Sequence, residues 1–325
     1  MKTNLTRNFF NKLALCIPAC FFLICSAAMA QEVFVSGFQI PEVQGYLRGY
    51  ELDGSFVGST PTPLVSSLET DGSRIFAGAG TDVLQFDRFG NPAGTFASVT
   101  GGGINATIPL LGTDSANNVY VAFNGFNQNP RTSFRLDSIG NVNESFSHPD
   151  LVFPTGIDAT ADGTTWISNG ANVGIGDRLF SFDGNGNFLA DYALPEVDNL
   201  SSIAIIDSSH ELVVADSGLD ALHFYDISSG SPEFVETISA GDVTIDVFID
   251  QSTNRIFGIG TEGGFEIDRD GNILAGYPVP APGEFQIATG IVAFTSIPEP
   301  GSLVVLLAGG AMAPGLRRRN RVRCS

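Results

Sequence analysis

Two segments of this chain place carboxylates and amides at the alternating spacing a cation-binding loop uses: Asp183-Gly184-Asn185-Gly186-Asn187 and Asp268-Arg269-Asp270-Gly271-Asn272. A helix-flanked calcium loop also needs Gly at its sixth position for the sharp turn and a bidentate Glu at its twelfth. Those positions hold Phe188 and Leu194 in the first segment and Ile273 and Val279 in the second, so the pattern is broken. A bond from each Asp to the backbone N–H two residues on accounts for both segments as turns. The three histidines, His148, His210 and His223, show neither His-x-His nor His-Glu-x-x-His spacing and read as a loop, a turn and a strand. There is no Gly-x-Ser-x-Gly elbow, and Ser217 in Asp216-Ser217-Gly218 has no evident base. No catalytic residue is assigned.

The elements that would position any chemistry are set by a repeat. One kind of turn joins two apolar strands, at Asp71, Asp114, Asp162, Asp207 and Asp250, with spacings of 43, 48, 45 and 43 residues. A second kind pairs an Asp with a following Gly-Asn or Gly-Ser, at Asp53, Asp87, Asp137, Asp183, Asp226 and Asp268. Apolar residues come in short runs bounded by Asp, Gly, Asn and Ser, such as Ile75-Phe76-Ala77 and Leu212-Val213-Val214, with no long amphipathic helical stretch between them. Four short strands per period is what a propeller blade requires, because each small sheet buries its faces only against its neighbours. The expected fold is all-β, a six-bladed β-propeller of four-stranded blades. The N-terminal unit supplies three strands, near residues 33–38, 46–52 and 55–58. A lone strand near 289–294 is expected to join them, closing the ring and removing an edge that invites aggregation.

The segment Pro154-Thr155-Gly156-Ile157-Asp158, leading to Asp162-Gly163-Thr164-Thr165-Trp166-Ile167-Ser168, resembles the blades of NHL-repeat and gluconolactonase-like propellers, with a weaker likeness over residues 63–281. The resemblance implies the fold and, for some such propellers, a metal-dependent lactonase whose cation is held at the channel mouth. Thr155 stands where that pattern has Asn, so the metal site is not carried over and no cofactor is assigned. The alternative kept open is a divalent-metal-dependent lactonase or esterase, with calcium the preferred ion, using Asp158, Asp216 or Asp246. In a propeller both Asp turns share one end of the ring; the loops between second and third strands and between blades share the other. The long loops there, 123–132 and 168–178, offer Asn124, Phe126, Asn127, Arg131, Asn169, Asn172, Asp177 and Arg178 as a binding face for carbohydrate or a protein partner.

The termini read as addresses. Lys2, Arg7 and Lys12, an apolar stretch over 13–24 and Ala28-Met29-Ala30 have the order of a secretory signal peptide cut after Ala30 by signal peptidase. The other end carries Pro298-Glu299-Pro300, an apolar run over 301–316, then Arg317, Arg318, Arg319, Arg321 and Arg323. That run makes about 24 Å of helix, short of a hydrocarbon core about 30 Å thick. The tripartite tail resembles the PEP-CTERM sorting signal of Gram-negative bacteria. The resemblance implies an exosortase as processing partner and transient membrane insertion through a short C-terminal hydrophobic helix. It also implies a membrane-anchored stage before display at the cell surface or release. The expected division is a signal peptide over 1–30, the propeller over 31–296 and the sorting signal over 297–325.

Setting the two terminal segments aside leaves eight arginines against 34 acidic residues, a balance of −26, and no cysteine. So acidic a domain repels nucleic acid and anionic lipid, and it has neither disulfides nor a thiolate metal site. The function expected is a non-enzymatic, exported propeller that binds extracellular polysaccharide or protein partners. A hydrolase and a structural surface or matrix role stand as alternatives.

Overall fold

The structure, a computed structural model, describes residues 32–40, 44–99, 108–124, 132–170, 176–241, 245–261, 263–278 and 285–294. Within them every regular element is a strand, and six four-stranded antiparallel sheets form. The first sheet contains β4 (Leu68–Thr70), β5 (Arg74–Ala79), β6 (Asp82–Asp87) and β7 (Pro92–Ser98) in chain order. The second repeats this with β8 (Ile108–Thr113), β9 (Val119–Asn124), β10 (Thr132–Leu136) and β11 (Val142–Ser147). In the third are β12 (Pro154–Ala159), β13 (Thr165–Asn169), β14 (Arg178–Phe182) and β15 (Phe188–Ala193). The fourth has β16 (Leu200–Ile206), β17 (Glu211–Asp216), β18 (Ala221–Asp226) and β19 (Glu233–Ser239). The fifth has β20 (Asp246–Asp250), β21 (Arg255–Gly260), β22 (Gly263–Ile267) and β23 (Ile273–Pro278).

The sixth sheet is made from both ends of the chain. Its order is β24 (Phe285–Phe294), β1 (Glu32–Ile40), β2 (Gln44–Glu51) and β3 (Phe56–Thr62), so the expected closure is what forms. β24 pairs antiparallel with β1 from Glu32 opposite Phe294 onward, with one register break between Ser36 and Gly37. The strands β4, β8, β12, β16, β20 and β24 contact one another in succession around a central channel. These are therefore the inner strands, and β7, β11, β15, β19, β23 and β3 form the circumference.

The core lies in wedges between blades. Val213, Leu222 and Phe224 of the fourth blade pack with Val247, Ile256 and Phe265 of the fifth, and the cluster at the closure joins Val33, Phe34 and Ile291 of the sixth blade to Leu68 and Phe86 of the first and Phe257 of the fifth. Middle strands such as β9 and β13 are buried along their length because a blade covers both of their faces.

Each turn between third and fourth strands leans on the preceding blade. Its Gly takes a left-handed conformation, φ +88 at Gly140, and a Cβ there would fall on the Phe96 carbonyl oxygen of the neighbouring outer strand. Gly72 has a similar φ of +83 with open space around it. Gly72→Ala should therefore lose about 1–2 kcal/mol of stability from backbone strain alone. Gly140→Ala should lose at least about 1 kcal/mol more, because the new methyl overpacks the blade contact. Urea denaturation of the two variants reads the difference, and equal losses would show that this contact carries no weight.

The expected short C-terminal hydrophobic helix is corrected. No described element is a helix, and none is long and apolar enough to cross a membrane. Within the described residues the apolar side chains serve short paired strands, and the 301–316 run lies outside them. The transmembrane helix, the transient membrane insertion and the membrane-anchored stage have no element to carry them among the described residues. Residues 1–30 and 297–325, with Ala28, Ala30, Pro298, Glu299, Pro300, Arg317, Arg318 and Arg319, lie outside the described residues.

Candidate functional site: an acid-lined cavity at the channel mouth

All six inner strands contribute to a cavity of about 250 Å³ at the end of the channel where the Asp turns gather. Glu69, Asp71, Asp114, Asp158, Asp207 and Asp250 bring six carboxyl groups to its lining, with Phe248 and Phe294 as apolar walls and no basic residue among them. This is the end of the ring opposite the long loops.

The carboxyls at the rim and those within the channel differ. Asp71 sits in a turn, where Oδ1 accepts the N–H groups of Ser73 (3.0 Å) and Arg74 (3.1 Å) and Oδ2 accepts Arg74 Nε (2.7 Å). Burial pushes Asp71 up, but the bonds from Arg74 and Ser73 outweigh it and hold the carboxyl below its ordinary value. Asp158, one residue from the end of β12, spans two blades. Its Oδ1 accepts Ala159 N–H (2.8 Å) and its Oδ2 accepts Ile205 N–H of β16 (2.7 Å). Burial pushes it up to about 8 despite those bonds, with the negative charges of Asp207 and Asp114 adding to the effect.

Glu69 on β4 is raised well above the ordinary range, first by burial and then by the carboxyls of Asp158 and Asp246; its Oε1 accepts Thr70 N–H at 2.8 Å. Asp246 heads β20, accepts Ser202 Oγ at 2.7 Å and is pushed by burial to about 6. Glu69, Asp158 and Asp246 thus stand on alternate inner strands. At neutral pH Asp158 is held mainly as a carboxylic acid, a group that donates as well as accepts, and Glu69 is pushed in the same direction.

Neighbouring blades are latched around this mouth. Thr113 Oγ1 donates to Thr70 O (3.0 Å), Ala161 N–H to Asp207 Oδ1 (3.0 Å), Asp207 N–H to Gln251 Oε1 (3.2 Å), and the Gln251 amide returns to Ile205 O. Asp207 is raised by its burial even though it accepts the Ala161 N–H.

Four of the residues expected to bind are described, and three of them are engaged within the fold. Phe126, Asn127, Arg131 and Asn172 lie outside the described residues. Asn124 is half-buried at the end of β9. Asn169 is wholly buried, its Oδ1 accepting the N–H groups of Val152 (3.0 Å) and Phe153 (2.7 Å). Asp177 Oδ1 accepts Leu200 N–H (3.1 Å), and Arg178 pairs with Asp191 on the adjacent strand. Asn169, Asp177 and Arg178 are therefore engaged in holding the third blade.

The proposed metal set also separates. Asp216 ends β17 at the other end of the ring and is sealed in a turn. It accepts N–H bonds from Asp198 (2.8 Å), Asn199 (3.1 Å), Gly218 (2.8 Å) and Leu219 (3.1 Å), and it faces His223 Nε2 at 3.2 Å. Burial would raise it, yet those bonds hold it below its ordinary value. Among the described residues no three His, Cys, Asp or Glu side chains stand close enough to hold a metal ion. His148 lies in a loop stacked on Phe188, His210 in a turn and His223 in β18, as their sequence contexts indicate.

Glu69 went unread in the sequence. Its one signal is an acid inside a short inner strand, Leu68-Glu69-Thr70, at a half-buried position facing the channel.

Comparison with solved structures gives the fold alone. A chain from the crystal structure of a nidogen/laminin complex aligns with a TM-score of 0.57 at 10% identity, over 82% of this chain and 99% of that one. A protein from Lactobacillus plantarum aligns with a TM-score of 0.52 at 12% identity, over 78% of this chain and 82% of that one. No family model and no curated protein matches. No match supports the sorting-signal, exosortase or signal-peptide readings, and the NHL and gluconolactonase likeness reaches no further than a six-bladed propeller.

Two outcomes are expected. A group raised by folding favours the neutral form, so its contribution is fully present below about pH 4 and is lost as pH rises through the folded value. For Asp158 that window ends near 8, with Glu69 adding in the same direction. The melting temperature should therefore fall between pH 5 and 8.5, and Glu69→Gln should shrink the fall; a wild-type melting temperature that rises over this range would contradict the assignment. Asp216→Ala strands four backbone N–H groups and should destabilise the domain by more than about 3 kcal/mol in chemical denaturation.

Proposed function

We propose that this protein is a binding propeller, not an enzyme, and that the mouth cavity receives part of a polysaccharide. The cavity carries this reading. The Asp158 carboxyl, pushed up to about 8, donates and accepts hydrogen bonds as sugar hydroxyls require, Glu69 beside it is raised in the same direction, and Phe248 and Phe294 offer apolar surface for the C–H face of a ring. Carboxyls at the end of a rigid closed ring are pre-organised for such contacts, which reduces the ordering entropy of binding. The nidogen/laminin structure is of a complex between two proteins, so a partner protein that inserts a polar segment into the same mouth is the neighbouring reading.

The hydrolase reading needs a base or a metal, and the residues named for it are otherwise engaged. Asp216 faces His223 with side-chain exposures of 0% and 2%, too enclosed to reach a substrate. Asp158 and Asp246 belong to no group of three His, Cys, Asp or Glu side chains close enough to hold a metal ion among the described residues.

The test is a screen of the full chain against acidic and neutral polysaccharides, with titration calorimetry on the hits. Glu69→Gln and Asp158→Asn should each weaken binding at least about tenfold, the equivalent of one charge-assisted or buried hydrogen bond. Affinity should also fade above pH 8, where Asp158 ionises. Binding indifferent to both substitutions would place the ligand elsewhere, and chelator-sensitive turnover of lactones or esters by purified protein would sink the non-enzymatic reading.

A further inference from the structure

The circumference of the ring is not uniform. Each outer strand is hydrogen-bonded on one side only, so it presents a row of free backbone N–H and C=O groups. Such edges are ordinarily guarded by charge. Here β11 carries Glu144, β15 carries Asp191, and β19 carries Glu233 and Glu236. The strands β23, β3 and β7 carry no charged residue, and they belong to three consecutive blades around the closure.

Within that arc β7 is blunted another way. It begins at Pro92 and its register with β6 breaks twice, beside Gly94 at φ +108. The arc therefore offers β3 and β23. Residues 56–60 and 273–277 contain no proline, and their leading side chains are large, apolar and open: Phe56 57%, Val57 55%, Ile273 50% and Leu274 59% exposed. Nothing stands within 4 Å of a Cβ built at Gly58, so a second strand can approach closely at the middle of β3.

We infer that β3, flanked by β23, is the edge through which a second copy of this chain docks, strand to strand about a two-fold axis near Gly58. The occupant follows from charge. The chain carries a net −19, so two copies repel over most orientations, and the outer strands of the second, third and fourth blades would bring carboxylates face to face. Only the arc around the closure lets two copies meet without opposing charges on the paired strands. An isologous contact needs a self-complementary edge, and an antiparallel pairing of residues 56–60 with themselves provides it. The interface is independent of the cavity, which opens at the channel mouth rather than on the circumference.

Sedimentation velocity of the full chain over a concentration series tests this. A dimer should grow with concentration and strengthen as salt rises, because screening relieves the general repulsion without weakening an uncharged contact. Val57→Lys and Leu274→Lys should each raise the dimer dissociation constant at least tenfold, while Val235→Lys on the charge-flanked β19 should shift it less than twofold. Circular dichroism melts of the three variants should stay together, separating lost docking from lost folding. Amides 56–60 should exchange more slowly in the dimer than in dilute protein. A monomer at every concentration overturns the inference, as does a dimer that dissociates with salt or responds equally to all three lysines. A monomer whose β3 amides are protected only by an added foreign β-strand peptide also overturns it and gives the edge to a different partner.

Discussion

Everything else in this molecule depends on the pairing of β24 with β1. A four-stranded blade has no core of its own; its apolar side chains are buried only where a second blade covers them. An open row of blades would leave a bare apolar face at each end. Pairing residues 285–294 with 32–40 turns that row into a ring, and it does so across the whole chain, with Ser36 Oγ donating to Gly290 O 254 residues away. The entropy of closing so long a loop grows only with the logarithm of its length, so the distance is tolerable once two faces are buried together. Thr289 Oγ1 donates to Val65 O, tying the closing strand to the first blade as well. The cavity follows from the same event, because Ala293 and Phe294 form one of its walls.

What the sequence discloses about this fold is local turn chemistry. Asp137 illustrates it: Oδ1 accepts the N–H groups of Ile139 and Asn141, and Oδ2 accepts the Asn141 side-chain amide. A motif that closes within five residues can be recognised from five residues, and its recurrence counts the blades. The closing strand was also readable, because three strands at one end and one at the other leave a single way to complete a blade. The C-terminal helix was read from composition alone, where an apolar run is equally consistent with several fates and nothing local chooses among them, and no described element bears it out.

The site was legible only in part. Asp158 and Asp246 could be named as channel carboxylates, but Glu69 is separated from them by tens of residues and shares no motif with them, and the three act on one another only because alternate inner strands face one channel. Asn169, Asp177 and Arg178 misled in the reverse direction. Amides and charges in a long loop suggest recognition, yet Asn169 satisfies two backbone N–H groups that would otherwise be buried unpaired, and Arg178 is matched by Asp191 across a strand pair. Composition identifies which groups are available for chemistry, and packing decides which of them are already occupied.

The acidity of the chain accordingly divides into two populations with different physics. Turn carboxylates such as Asp137 and Asp183 are held below their ordinary values by neighbouring Asn side chains and backbone N–H groups, so they stay charged and face solvent. Channel carboxyls such as Glu69 and Asp158 are pushed the other way by burial and by one another. A surface of fixed negative charge thus surrounds a mouth in which Asp71 at the rim is held charged while Asp158 deeper in is pushed up to about 8. On the proposed binding function, the surface would discourage anionic partners at long range while the mouth discriminates by hydrogen bonding at contact. A ligand suited to both is uncharged or cationic, rich in hydroxyl or amide groups, and narrow enough to enter between six inner strands that cannot part without reopening the ring.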